Sequence, residues 1–256
     1  LPKLTDDQMR AAFAEPIGTP RLAELARDRK EVVIIFDDLS RPTKTSELVP
    51  YILKELKEGG VEDGAIRFVA GTAMHPAMRL DEFRKKLGQD IPRRFPVFNH
   101  NPFDNCTYLG RTSRGTPVLI NSEVMACDLK VLVGDILPHR LAGFGGGAKM
   151  ILPGVAHADT AYANHHDVAL MDDGTSDTHA PRLHPSVGFA KVDENVVRLD
   201  MEEGARMTGV DFIVNAVVNL KRDTVGLFVG DLVVAHREGV EMSRSHYATE
   251  APGRVD

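Results

Sequence analysis

Short runs of consecutive apolar, β-branched residues, each followed by a stretch of helical periodicity, constrain this chain more than any other feature. "EVVIIF" (31–36), "AIRFVA" (65–70) and "LKVLVGD" (129–135) lack strict polar alternation, so each is expected as a strand buried on both faces. "SELVPYILKELKEGG" (46–60) has helical spacing and stops on a Gly pair, and "RLDEFRKKLG" (79–88) stops on a single Gly. "FPVFNH" (95–100) and "PVLI" (117–120) read as further strands, and "ADTAYANHHDVALM" (158–171) and "DENVVRLDMEEGARMTG" (193–209) as helices. "VDFIVNAVVN" (210–219) and "TVGLFVG" (224–230) are expected to pair as a hairpin across "LKRD". "DLVVAHREGVEMSRSH" (231–246) then closes the pattern as a helix with Asp231 as its N-cap. Strands alternating with helices imply an α/β fold, with a mostly parallel sheet covered by helices on both faces.

Composition narrows the function classes. A chain of 256 residues, 43% hydrophobic and 27% charged, can bury a substantial core. A net charge of −6 without any Lys/Arg block argues against a nucleic-acid partner. No apolar run approaches the ~18 residues of a membrane span, so no membrane association is expected. Two cysteines, Cys106 and Cys127, make no disulfide framework and no paired metal motif, which fits a reducing cytoplasm.

In parallel sheets, ligands bind beyond the carboxyl ends of strands, and polar clusters stand at such places here. In "DDLSRPT" (37–43), Arg41 has the planar fork that grips a carboxylate, and Asp38 is placed to hold that guanidinium. The plainer reading is a turn with a local ion pair. In "GTAMHP" (71–76), His75 is a candidate general base, although a lone histidine is more often simply solvated. The densest cluster is "LPHRLAGFGGGAKMILPGV" (137–155), with five glycines between Gly143 and Gly154. Its spacing matches neither a P-loop nor a dinucleotide fingerprint. Gly145, Gly146 and Gly147 would allow close backbone approach and offer exposed N–H groups to an anion. Lys149 is a charge partner or a nucleophile. Downstream, "YANHHD" puts His165 and His166 on a helix. One histidine pair falls short of a self-sufficient protein metal site, so either there is no metal or a cofactor supplies the other ligands.

These motifs, together with "TAYANHH" and "GLFVGDLVVAHREGVE", resemble the N-terminal domain of the lactate racemase family, whose members use a nickel-pincer nucleotide. The resemblance runs over nearly the whole chain. It is most specific where His139 precedes Lys149 by ten residues and His165 follows it by sixteen. It implies a Rossmann-like cofactor-binding domain over 1–246, with 247–256 starting a linker or a second domain. It also implies a racemase or epimerase of small 2-hydroxyacids, an isomerase working by reversible hydride transfer. The implied cofactor is a pyridinium mononucleotide with two thio-acyl arms holding nickel, covalently joined to Lys149. His165 corresponds to the protein's nickel ligand, Gly145, Gly146 and Gly147 to the cofactor surface, and His139 to a catalytic acid/base. Arg41 corresponds to the substrate-carboxylate arginine and Asp38 to the acid beside it. Cofactor-synthesis proteins are the implied partners.

A racemase needs bases on two sides of its substrate. The second family histidine falls, without gaps, on Ala73, so His75 serves only if the loop shifts by two residues. Gly145 stands where the family often has Ser, and Ala148 replaces a polar residue of some members. The rival reading is a cofactor-binding or carrier protein of the same fold that does not racemise. His100 reads as a loop cap at a strand end. His157, His166, His179, His184, His236 and His246 read as surface or helix histidines. Met150, Met171, Met201 and Met207 read as core filler, and Thr112 to Gly115 as a turn.

Overall fold

The computed structural model describes residues 1–171 and 182–249, so His179 and the segment 250–256 lie outside the described residues. Six strands form the central sheet: β1 (Val32–Asp37), β2 (Ile66–Gly71), β3 (Val97–Asn99), β4 (Leu129–Asp135), β5 (Phe212–Val218) and β6 (Thr224–Gly230). Their order is β6-β5-β4-β1-β2-β3. All neighbours pair in parallel except β5 and β6, the expected antiparallel hairpin. The expected α/β class therefore holds, and the order is that of a doubly wound sheet.

The continuous apolar runs work because β1 is buried on both faces. Val32, Ile34 and Phe36 pack with Leu48, Ile52 and Leu56 of the helix Thr45–Glu58. Val33 and Ile35 pack with Ile151, Leu152 and Met201 on the other face. Chain order reverses between β1 and β4, and a crevice opens there beyond the strand ends. Asp37 and Asp135 are the last residues of those two strands.

Three expectations need correction. Pro117–Asn121 is a strand outside the central sheet. It pairs antiparallel with Cys106–Arg111, a strand whose partly exposed sequence gives no strong signal. The region 158–171 is not one helix: Ala158–Tyr162 is α-helical, Ala163–Asp167 forms a π-helical turn, and Leu170–Met171 is a short strand. The closing helix spans Val234–Tyr247, starting later than expected. Asp231 still holds its entry, its Oδ1 accepting from the Val233 and Val234 amides at 2.8 and 2.9 Å. The turn at Thr112 forms, with the Gly115 amide donating to the Thr112 carbonyl at 2.9 Å. Among the described residues no helix is long and apolar enough to cross a membrane.

Candidate functional site

A cavity of about 610 Å³ lies at the switch point, lined by Asp38, Arg41, His75, His139, Lys149 and His165 among others. These six residues come from four segments, Asp38 and Arg41 from the loop after β1, His75 from the loop after β2, His139 and Lys149 from 137–155 and His165 from further on, which the fold brings together.

The loop after β1 is fixed from below. Asp37 is buried and pairs with Lys86 Nζ at 2.7 Å, and Thr43 Oγ1 donates to its other oxygen at 2.5 Å. Lys86, also buried, donates to the carbonyls of Thr43 at 2.9 Å and Arg41 at 3.3 Å. It thereby anchors the loop that presents Arg41. The expectation that Asp38 holds the Arg41 guanidinium is not met. Asp38 Oδ1 accepts from the Ser40 amide at 2.7 Å, and its Oδ2 accepts from His75 Nδ1 at 2.6 Å. Burial works to raise the Asp38 pKa, but these hydrogen bonds from Ser40 and His75 outweigh it, so it lies below the usual carboxylate range.

The loop after β2 brings His75 to the cavity. Ala73 takes a positive φ of 50°, rare for a residue with a Cβ, and its amide donates to the Gly154 carbonyl at 2.9 Å. The chain then turns, the His75 amide donating to the Thr72 carbonyl at 2.8 Å. His75 thus stands at the cavity mouth, half exposed, with Nδ1 on Asp38.

His139 is held in the opposite sense. It sits in a small hairpin, Pro138–His139 against Gly143–Phe144. Its Nδ1 accepts from the Leu141 and Ala142 amides at 3.3 and 3.2 Å. In the neutral ring that places the proton on Nε2. Burial, then the Lys149 and His165 charges, push its pKa down to about 3. His165 lies on the π-helical turn, its ring centroid 6.4 Å from that of His139. Its Nδ1 is buried without a hydrogen-bond partner. Burial and the Lys149 charge lower its pKa to about 4, against a weaker opposing pull from the Ala161 carbonyl. The neighbouring His166 faces outward, stacked on Tyr162.

Lys149 stands in a short 3-10 turn, Gly147–Met150. Burial, then the Arg41 and Arg198 cations, bring its pKa down to about 8. The glycines before it serve the protein more than an anion. A Cβ on Gly146 would lie 2.8 Å from Asn215 Oδ1, and one on Gly147 2.9 Å from the His236 ring. The Gly145 amide donates to the Leu137 carbonyl at 2.7 Å and the Gly147 amide to Asn215 Oδ1 at 2.8 Å. The exposed N–H groups expected at these two positions are therefore already satisfied. Gly145 and Gly146 reach the cavity wall, whereas Gly147 packs behind it.

Several residues escaped the sequence reading. Arg198, fully buried, donates to the carbonyls of Ala142 at 3.2 Å, Gly146 at 3.1 Å and Phe144, stitching down the glycine loop. Its signal is an arginine in register with Met201 and Ala205 on the apolar face of its helix. His236 is buried rather than on the surface, its Nε2 donating to the Gly145 carbonyl at 2.8 Å. Asp135 ends a fully buried strand, which hides it among core positions. His100 is buried behind the site, between Asn121 Nδ2 and the Ala156 carbonyl. Met150 is core filler that also lines the cavity. Among the described residues no group of three or more His, Cys, Asp or Glu could hold a metal unaided.

Known proteins are similar to this chain in sequence and in fold. A family model, the lactate racemase N-terminal domain, matches residues 3–177. The lactate racemase of Thermoanaerobacterium thermosaccharolyticum is 30% identical over 238 residues, covering 92% of this chain and 53% of the relative. That of Lactiplantibacillus plantarum is 29% identical over 242 residues, covering 93% and 54%. The lactate racemase apoprotein structure from Thermoanaerobacterium thermosaccharolyticum superposes with a TM-score of 0.83 at 30% identity, covering 92% of this chain and 54% of that one. A Thermotoga maritima protein, 19% identical, shares the fold at a TM-score of 0.71, with 95% and 60% covered. The chain spans about half the length of the curated relatives it matches.

Proposed function

Because this chain belongs to the lactate racemase N-terminal domain family, we propose that it is the cofactor-carrying half of a 2-hydroxyacid racemase or epimerase that uses a nickel-pincer nucleotide. One observation carries this reading: Arg41, His75, His139, Lys149 and His165 converge on a single cavity at the strand ends.

The residues present fit the cofactor. His165 offers a buried nitrogen without a partner, suited to a metal as a neutral ligand. Lys149 has its proton affinity lowered by burial and two cations, which suits an amine that must be free to form a covalent bond. Gly145 and Gly146 keep the wall beside it thin. When bound, the nucleotide would supply a hydride acceptor beside its metal.

The chain's own residues would do the rest. Arg41 grips the substrate carboxylate with two parallel hydrogen bonds. The loop beneath it is pinned by Lys86, so the substrate is oriented before reaction. His75, with Nδ1–H on Asp38, keeps its Nε2 lone pair free to take the hydroxyl proton. His139, with its Nδ1 occupied, presents Nε2–H as a hydrogen-bond donor to the substrate oxygen on the other face. Free Cys106 and Cys127 suit a reducing, cytoplasmic setting.

The test is coexpression with cofactor-synthesis proteins. An adduct on Lys149, bound nickel, and interconversion of D- and L-2-hydroxyacids followed by chiral chromatography are expected. An adduct without interconversion would favour a carrier, and an unmodified Lys149 would remove the reading.

A further inference from the structure

The cavity contains one buried carboxylate to which the proposed reaction gives no task. Asp135 ends β4, lines the cavity with Arg41, Gly145 and Lys149, and is buried. Its Oδ2 has no hydrogen-bond partner. The other carboxylates on this wall are engaged: Asp37 by Lys86 and Thr43, Asp38 by His75 and Ser40, while Asp159 lies in solvent near His157. The glycine loop rests directly on Asp135. A methyl group on Gly145 would come within 3.3 Å of its Oδ1 and 2.9 Å of its carbonyl oxygen.

We propose that Asp135 is the proton acceptor for the Lys149 amine when that amine is acylated. The proposal rests on Lys149 being the tethering lysine. As the amine nitrogen bonds to an acyl or thio-acyl carbon, it carries an extra proton, and the adduct reverts unless that proton leaves. Asp135 takes it, the bond from that carbon to the leaving heteroatom breaks, and the heteroatom departs with the proton that Asp135 returns. No electrons are exchanged with an outside partner, and the carboxylate is regenerated. The two side chains line the same cavity without a hydrogen bond at Asp135 Oδ2, so the transfer requires the four-carbon lysine stem to turn toward the carboxylate.

The surroundings favour such a base. Burial, then the nearby Asp37 charge, hold the Asp135 carboxyl well above the usual carboxylate range, while Arg41, Lys86 and Lys149 pull the other way. Its proton affinity therefore approaches that of the Lys149 amine, brought down to about 8, the condition for efficient transfer.

The experiment labels the purified chain with an alkyl thioester, S-acetyl-N-acetylcysteamine, and quantifies acetyl-Lys149 by peptide mass spectrometry. Labelling of wild type should level off above pH about 8, far below the ~10.4 of an ordinary lysine. D135N should label about tenfold more slowly or worse, and formate should restore the rate in D135A. If Asp135 acted only through its field, removing its charge would free more amine and D135N would label faster near neutral pH. An unchanged or faster D135N, or no formate rescue, overturns the proposal. The cofactor adduct is scored separately by coexpression, so loss of the tethering reading and loss of the Asp135 role are read from different measurements.

Discussion

His75 and Asp38 form a 2.6 Å pair in which the ring donates from Nδ1 to a buried carboxylate. In His139 the same ring atom accepts two backbone amides. The two histidines are therefore wired oppositely. One is poised to take a proton at Nε2 and the other to donate a hydrogen bond from there, an asymmetry that a reaction with two faces can use.

Replacing Asp38 tests that wiring. Asp38→Asn would let the ring adopt the wrong tautomer, as an orienting carboxylate prevents. Turnover is expected to fall about a hundredfold with little change in KM, in steady-state kinetics of the loaded enzyme. A variant in which only KM moves would assign Asp38 to substrate binding instead.

Arg41 should show the opposite split. Arg41→Lys keeps the charge but loses the bidentate fork. KM should rise about tenfold, the loss of roughly 1.4 kcal/mol of binding, with the melting temperature unchanged. Kinetics indistinguishable from wild type would take Arg41 out of the site.

Arg198 is a matter of stability. Arg198→Met would leave the Ala142, Phe144 and Gly146 carbonyls without their buried donor. Each unsatisfied group costs about 1–3 kcal/mol, so urea unfolding should show a loss of about 3 kcal/mol or more. A loss below about 1 kcal/mol would mean that water replaces the guanidinium and the loop does not depend on it.

Acid should weaken the fold through the buried histidines. Burial lowers the pKa of His100, His139, His165 and His236 in the folded chain, against about 6.5 when unfolded. Below that value the unfolded chain binds more protons, so stability drops as pH falls from about 6.5 toward 4. Asp135 works against this over the same interval, because its raised pKa favours the folded state on protonation. Asp211, its pKa also raised by burial, acts in the same sense as Asp135, and four groups against two predict a lower urea midpoint at pH 5 than at pH 7. His236→Gln should flatten that slope, and an unaltered slope would refute the contribution of His236.

The sequence by itself determined the sheet and the motifs. Continuous β-branched runs leave a strand no solvent face, and Gly stops punctuate the helices between them, so the parallel core follows from local pattern. The spacing of His139, Lys149 and His165 was equally legible, because it is a property of one contiguous stretch. Tertiary structure alone decided how the side chains are used. The loop that carries His75 takes a positive φ at Ala73, whose amide donates to the Gly154 carbonyl from a distant segment. Asp38 turns to His75 rather than Arg41: the ring carried in by the loop after β2 occupies the oxygen that the Ser40 amide leaves free. The π-helical turn that presents His165 is held by Asn164 Nδ2, which donates to the Val197 carbonyl and to Asp200 from a helix more than thirty residues away. Arg198, His236, Asn215 and Asp135 sit in ordinary helix and strand patterns, and only the packing of the glycine loop onto them gives them a role. A pattern of apolar residues records what a chain must bury, whereas the partners of a buried polar group come from distant segments and exist only once the chain has closed.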